Sequence, residues 1–162
     1  MLPEAVAQNP DAVAIENADP EAIEDARFDR GEITLWIRPE KIRDVCRLLK
    51  TQQGFERLCA VTAVDWYPME PRFEVVYHLH SIRNNRRIRL KCRVGGEEPE
   101  IDSLTSLWPG ANWYEREVFD LFGIRFRGHP KMERLLLPAE WEGHPLRKDY
   151  PVHGYKYSYK DE

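Results

Sequence analysis

Between Gly123 and Gly154 the chain carries large apolar side chains on a backbone that cannot build a long helix or strand. Pro130, Pro138, Pro145 and Pro151, together with Gly128 and Gly143, interrupt every stretch. Proline removes a backbone donor and fixes φ, while glycine loosens the chain. Yet Phe126, Met132, Leu135, Leu136, Leu137, Trp141, Leu146 and Tyr150 all fall here. A solvated tail is poor in such groups. The expectation is an extended arm, residues 124–162, that lies across a partner's surface instead of forming a core of its own.

Ahead of the arm, periodicity predicts regular structure. Two strands are expected between Ala22 and Ile37, turning at Asp29-Arg30-Gly31, with Ile33, Leu35 and Ile37 facing inward. Pro39 opens a helix in which Ile42, Val45, Leu48 and Leu49 recur at helical spacing, and Gly54 ends it. The apolar run 55–66 reads as a central strand. RFEVVYHLHSI and RRIRLKCRV read as two more, joined at Asn84-Asn85. The fold class is therefore α/β (α+β): a small mixed sheet with a packed helix in the order β-β-α-β-β-β, then a helical segment and the arm. In residues, 1–20 are a flexible N-terminal segment, 21–100 the α/β domain, 101–123 the helical segment and 124–162 the docking arm.

Within the helical segment a short helix is expected from Ser103 to Trp108. A second is capped by Asn112, with Glu115 three residues on, and runs to Phe122 before Gly123. Arg116 and Asp120 are four apart and can pair. Glu115 falls on the apolar side of this helix. It reads either as part of the cap, favoured by the positive helix end, or as a partly buried carboxylate held by an arginine from the arm, such as Arg134. These acids are flanked by bases and explained by helix chemistry, so a structural role is expected of them, not general acid–base work.

Several classes of function lose ground on composition. Three widely separated cysteines, Cys46, Cys59 and Cys92, form neither a disulfide framework nor a four-thiolate cluster motif. His129 and His144 each sit in a Gly-His-Pro triplet. Two histidines do not make a metal site, and bonds from their rings to nearby carbonyls are expected. No apolar run reaches the roughly twenty residues a membrane span needs, and the acidic N-terminus lacks a signal-peptide layout. Charge is segregated: nine acids against two bases over residues 1–32, then thirteen bases against six acids over 33–94. Arg87, Arg89, Lys91 and Arg93 alternate with Ile88, Leu90, Cys92 and Val94, which predicts a basic outer strand. That stripe faces water or an acidic partner subunit. Without stacking aromatics or an RNA motif, no nucleic acid is expected.

Glu115-Arg116-Glu117-Val118-Phe119-Asp120-Leu121-Phe122-Gly123-Ile124, followed by Phe126, Gly128-His129-Pro130 and Arg134-Leu135-Leu136-Leu137-Pro138, resembles the defining motif of the 30 kDa subunit of the proton-translocating NADH:quinone oxidoreductase, respiratory complex I. Trp141 and Gly143-His144-Pro145-Leu146-Arg147-Lys148-Asp149-Tyr150-Pro151 continue the likeness. The resemblance implies a non-catalytic subunit of the peripheral arm, on the cytoplasmic face of a bacterial inner membrane and attached to it only through partners. In that hetero-oligomer, FMN, iron–sulfur clusters, NADH and quinone belong to other subunits, and this chain binds no cofactor and no metal. The implied partners are the other peripheral-arm subunits, chiefly the one that forms the quinone site, which this chain braces. Glu115, Arg116, Glu117, Asp120, Arg134, Trp141, Arg147, Lys148 and Asp149 are then interface candidates, with no catalytic role for any. The alternative is the equivalent subunit of a related membrane-bound hydrogenase or another quinone-linked dehydrogenase.

Overall fold

In the computed structural model, which describes residues 3–155, the chain begins with two short helices, α1 (Glu4–Ala7) and α2 (Pro10–Ala18). The segment expected to be flexible is thus folded over its described part. Asn9 caps α2 by accepting from the amides of Asp11 and Ala12, and Pro10 occupies the first helical position. Val6, Ala12 and Ile15 are buried, which ties both helices to the core.

Strands β1 (Ile23–Asp29) and β2 (Glu32–Ile37) form the expected hairpin. A 3-10 turn at Pro39–Lys41 leads into α3 (Ile42–Gln52), whose Ile42, Val45, Cys46 and Leu49 are buried. β3 (Arg57–Asp65), β4 (Phe73–Ser81) and β5 (Arg86–Val94) complete a five-stranded sheet of order β1-β2-β5-β4-β3. Only the β2–β5 pair is parallel. Leu35, Leu90, Tyr77 and Val61 share one face of this sheet with the buried side of α3.

The basic strand corrects one expectation. β5 alternates as predicted, but it is the central strand of the sheet, not an outer one. Its cations tolerate that place because the open face supplies partners: Lys91 Nζ lies 2.7 Å from Glu74 and Arg89 Nη2 lies 2.8 Å from Glu32. Trp36 adds a ring beneath Lys91 and Arg93.

Beyond the sheet, β6 (Glu100–Asp102) pairs in parallel with β7 (Arg125–Arg127), and α4 (Ala111–Phe122) connects them. The helix expected at 103–108 is a single turn in which the amides of Leu107 and Trp108 both donate to the Leu104 carbonyl. It cannot lengthen, because the Leu104 amide is taken by Glu115 and Pro109 follows directly. α4 buries Val118 and Phe122 in the same core as α3, and the Phe122 ring meets Phe73 edge-on at 6.5 Å. No helix among the described residues is long and apolar enough to cross a membrane.

Candidate functional site: the pinned arm

The motif helix fastens the arm through Asp120. This aspartate is fully buried near the end of α4. One carboxylate oxygen accepts the amides of Leu135, Leu136 and Leu137 at 3.0, 2.7 and 2.9 Å. The other accepts Arg134 Nη1 at 2.8 Å. Three successive amides aimed at one anion form a small nest, and they give an irregular backbone the partners that a helix or sheet would otherwise supply. Burial alone would raise the Asp120 pKa, but Arg134 and the three amides outweigh it and hold the carboxyl below its ordinary value.

Arg134 then carries the connection onward. Its Nη2 donates to the carbonyls of Trp141 and Gly143 at 2.8 and 2.9 Å, folding the arm back on itself. His144 Nδ1 bonds the Asp120 carbonyl at 2.9 Å, and the His129 ring bonds the Asn112 carbonyl at 3.2 Å. Both histidines thus pin bends, as expected. Gly123 ends α4 in the left-handed region at φ +76, where a Cβ would stand 2.6 Å from both Arg147 and His144. The motif glycine is required twice, by its backbone and by the arm packed over it.

A second tie joins the arm to the sheet. Arg72, just ahead of β4, bonds Asp65 through Nε and Nη2 at 2.9 and 2.8 Å, and reaches Asp149 of the arm at 2.5 Å. Asp65 also accepts the Lys148 amide at 2.8 Å and the Tyr67 amide at 2.9 Å. Burial pushes against ionisation of Asp65, yet Arg72 and these amides bring its pKa down to about 2. Beside them Arg147 donates to the Phe122 carbonyl at 2.6 Å with its guanidinium over Phe73, and the Leu146 amide donates to the Leu121 carbonyl.

The structure therefore brings Asp120 and Arg134 together, and separately Arg147, Lys148 and Asp149, while redistributing other expected pairings. Arg116 does not pair with Asp120. It donates to the carbonyls of Glu133 and Arg134 and lies over exposed Trp113. Glu117 is exposed on the helix surface. Glu115 neither caps α4 nor meets Arg134. The N-cap residue is Gly110, with no side-chain cap, and Glu115 lies fully buried against the Ser103 hydroxyl at 2.7 Å and the Leu104 amide at 2.6 Å. Burial pushes its pKa up to about 7. Sequence reasoning missed Asp65 and Arg72 altogether. They flank a loop with no recognisable motif, and their partners in the arm lie more than seventy positions away.

Several backbone amides of the arm bond to α4 and the sheet, but its apolar side chains are not all covered. Phe126 is buried and Met132 packs against the core. Leu136 and Leu146 remain 62% and 51% exposed, and Trp113 on the adjoining helix 56%. All three cysteines are free, and burial raises the thiol pKa of Cys46 and Cys92. Among the described residues no group of three or more His, Cys, Asp or Glu could hold a metal ion.

This architecture recurs in known proteins. The family model of the respiratory-chain NADH dehydrogenase 30 kDa subunit matches residues 35–156. An NADH-quinone oxidoreductase subunit of Roseiflexus sp. (strain RS-1) is 52% identical over 135 residues, which is 82% of this chain and 78% of the relative. Among solved structures, a trypsin-resistant fragment of Nqo5 superposes with a TM-score of 0.65 at 31% identity, over 72% of this chain and 95% of the fragment. A chain of the membrane-bound sulfane sulfur reductase, an archaeal respiratory membrane complex, gives a TM-score of 0.74 at 31% identity, over 85% of this chain and 82% of that one. The motif, the fold and the matched span agree, and the chain belongs to the 30 kDa subunit family of respiratory-chain NADH dehydrogenase.

Proposed function

We propose that this chain is a bracing subunit of the NADH:quinone oxidoreductase, complex I, in its peripheral arm on the cytoplasmic face of the membrane, and that the pinned arm is its docking element. One observation carries the reading: the arm's backbone is fixed by ionic ties, one of them on the buried Asp120, while Leu136 and Leu146 on that backbone are left uncovered. A segment ordered before it binds loses less conformational entropy on association. The partner that best suits this role is the subunit forming the quinone site. Transfer of electrons from NADH through flavin and iron–sulfur centres to a quinone needs donor and acceptor held in fixed relation. A brace can sustain that relation without a redox centre or active site of its own, the chemistry staying on neighbouring subunits. Arg116, Glu117, Trp141 and Lys148, which are at least partly exposed, remain the candidates for direct contact. Asp120, Arg134, Arg147 and Asp149 are engaged in holding the arm and act through its shape, though Asp149 is itself exposed, and Glu115 acts through the packing of α4 on Ser103 and Leu104.

A second reading, the equivalent subunit of a related membrane-bound respiratory complex with another electron donor, is favoured by the broader superposition on the archaeal complex. The partners isolated with the chain distinguish the two. NADH-oxidising flavoprotein subunits support complex I, and hydrogenase or sulfur-reductase subunits support the relative. Docking itself is tested with Leu136→Asp and Leu146→Asp. Each is expected to keep the melting temperature of the isolated chain and to lose co-purification with the complex. Normal co-purification of both would sink the proposal.

A further inference from the structure

Near the end of its described part the arm folds into a cup. A cavity of about 520 Å³ is lined by Glu140, Trp141, Glu142, Tyr150, His153 and Tyr155. The Tyr150 and Tyr155 rings meet edge-on, with centroids 5.3 Å apart and planes at 80°. They close over Gly143, where a Cβ would come within 2.7 Å of Tyr155 and 2.8 Å of Tyr150. Under them, the carbonyls of Trp141 and Gly143 are the two that Arg134 Nη2 holds. The floor of the cup is thus fixed by the same Asp120–Arg134 tie that organises the arm.

Two properties of the cup, its acids and its rings, are unanswered among the described residues. Glu140 and Glu142 stand exposed at the cavity and make no ion pair among the described residues. Tyrosine rings present an electron-rich face to a cation. The Trp141 indole nitrogen is buried behind the cup wall without an acceptor among the described residues, a reporter beside the cavity and not a contact for what enters it. The two arginines nearest the cup in sequence do not fill these needs, since Arg134 is bound to Asp120 and Arg147 to the Phe122 carbonyl.

An arginine side chain meets both together. Its guanidinium is flat and stacks on an aromatic ring. Its fork of donors matches carboxylates. A lysine ammonium would answer the charge but neither the plane nor the fork. We infer that the cup is a docking pocket for an arginine side chain of a neighbouring subunit. This rests on the reading of the arm as a docking element and adds the chemistry of what it receives.

Two measurements on the full-length chain test it. In the first, the chain is added back to membranes from cells lacking it, and its affinity for the remaining complex is measured. Glu140→Gln with Glu142→Gln, and separately Tyr155→Ala, are expected to weaken binding about tenfold, the double variant with a shallower dependence on KCl concentration. Binding within about twofold of the parent for both would overturn the inference. Leu136→Asp with Leu146→Asp in the same assay separates the two ideas. If that variant loses binding while the cup variants keep it, only the arginine pocket fails; if all bind normally, the docking arm fails with it.

The second measurement needs no partner. N-acetyl-arginine methylamide is expected to shift the NMR signal of the Trp141 indole N–H, and the uncharged citrulline analogue to leave it in place. Equal responses to the two probes, or no response to either, would overturn the arginine assignment.

Discussion

Glu115 and Asp120 share one helix and are both fully buried, yet their surroundings move their pKa values in opposite directions. Asp120 has Arg134 and three amides around it, enough to keep it ionised. Glu115 has one hydroxyl and one amide and no cation, so burial prevails and its pKa rises to about 7. A pH dependence follows. Because the folded pKa of Glu115 exceeds the ordinary 4.5, its contribution to stability is complete below about pH 4.5 and is lost as pH rises through about 7. Glu115→Gln should therefore raise the urea midpoint relative to the parent at pH 8 and remove part of the parent's loss between pH 5 and pH 8. An unchanged difference between the two pH values would show that Glu115 stays ionised in the fold. For Asp120→Ala the expected cost is about 3–5 kcal/mol, because an arginine and three amides are left without their acceptor. Urea unfolding of the isolated chain measures it, and a cost near zero would mean water replaces the carboxylate freely.

Among the elements, what is legible in the sequence is whatever repeats. β5 announces itself by strict alternation and α3 by helical spacing, because one buried face selects apolar residues at a fixed period. β6 and β7 have three residues each, too few for a period, and their parallel pairing brings together segments separated by the whole of α4. α2 is signalled by Asn9-Pro10, a helix start, but the two nearby prolines point equally to a loose end, and only the burial of Ala12 and Ile15 decides between them. Composition signals the irregular stretch after β7 but not its fastening, since Asp120–Arg134 and Arg72–Asp149 join elements whose meeting only the fold decides. Arg72 provides the test at this scale. Arg72→Gln should leave the sheet intact and detach the arm near Lys148. Amide hydrogen exchange at Lys148 is expected to accelerate at least about tenfold, with that of β4 and β5 unchanged. Acceleration across the sheet as well would assign Arg72 to the core and not to the arm.

For the molecule as a whole, a folded α/β body and a tied-down irregular arm divide the work. The body supplies one face of core and a charged open sheet, and the arm supplies ordered backbone bearing uncovered apolar groups. Such an arrangement can brace a neighbouring subunit, because its contact surface is held in shape by its own ionic ties before the partner arrives. Hydrogen exchange followed by mass spectrometry, on the isolated chain and on the same chain within its purified complex, tests this directly. Moderate protection of residues 134–150 in the isolated chain, deepening markedly on assembly, is the predicted result. Exchange in that segment that is the same in both states would contradict it.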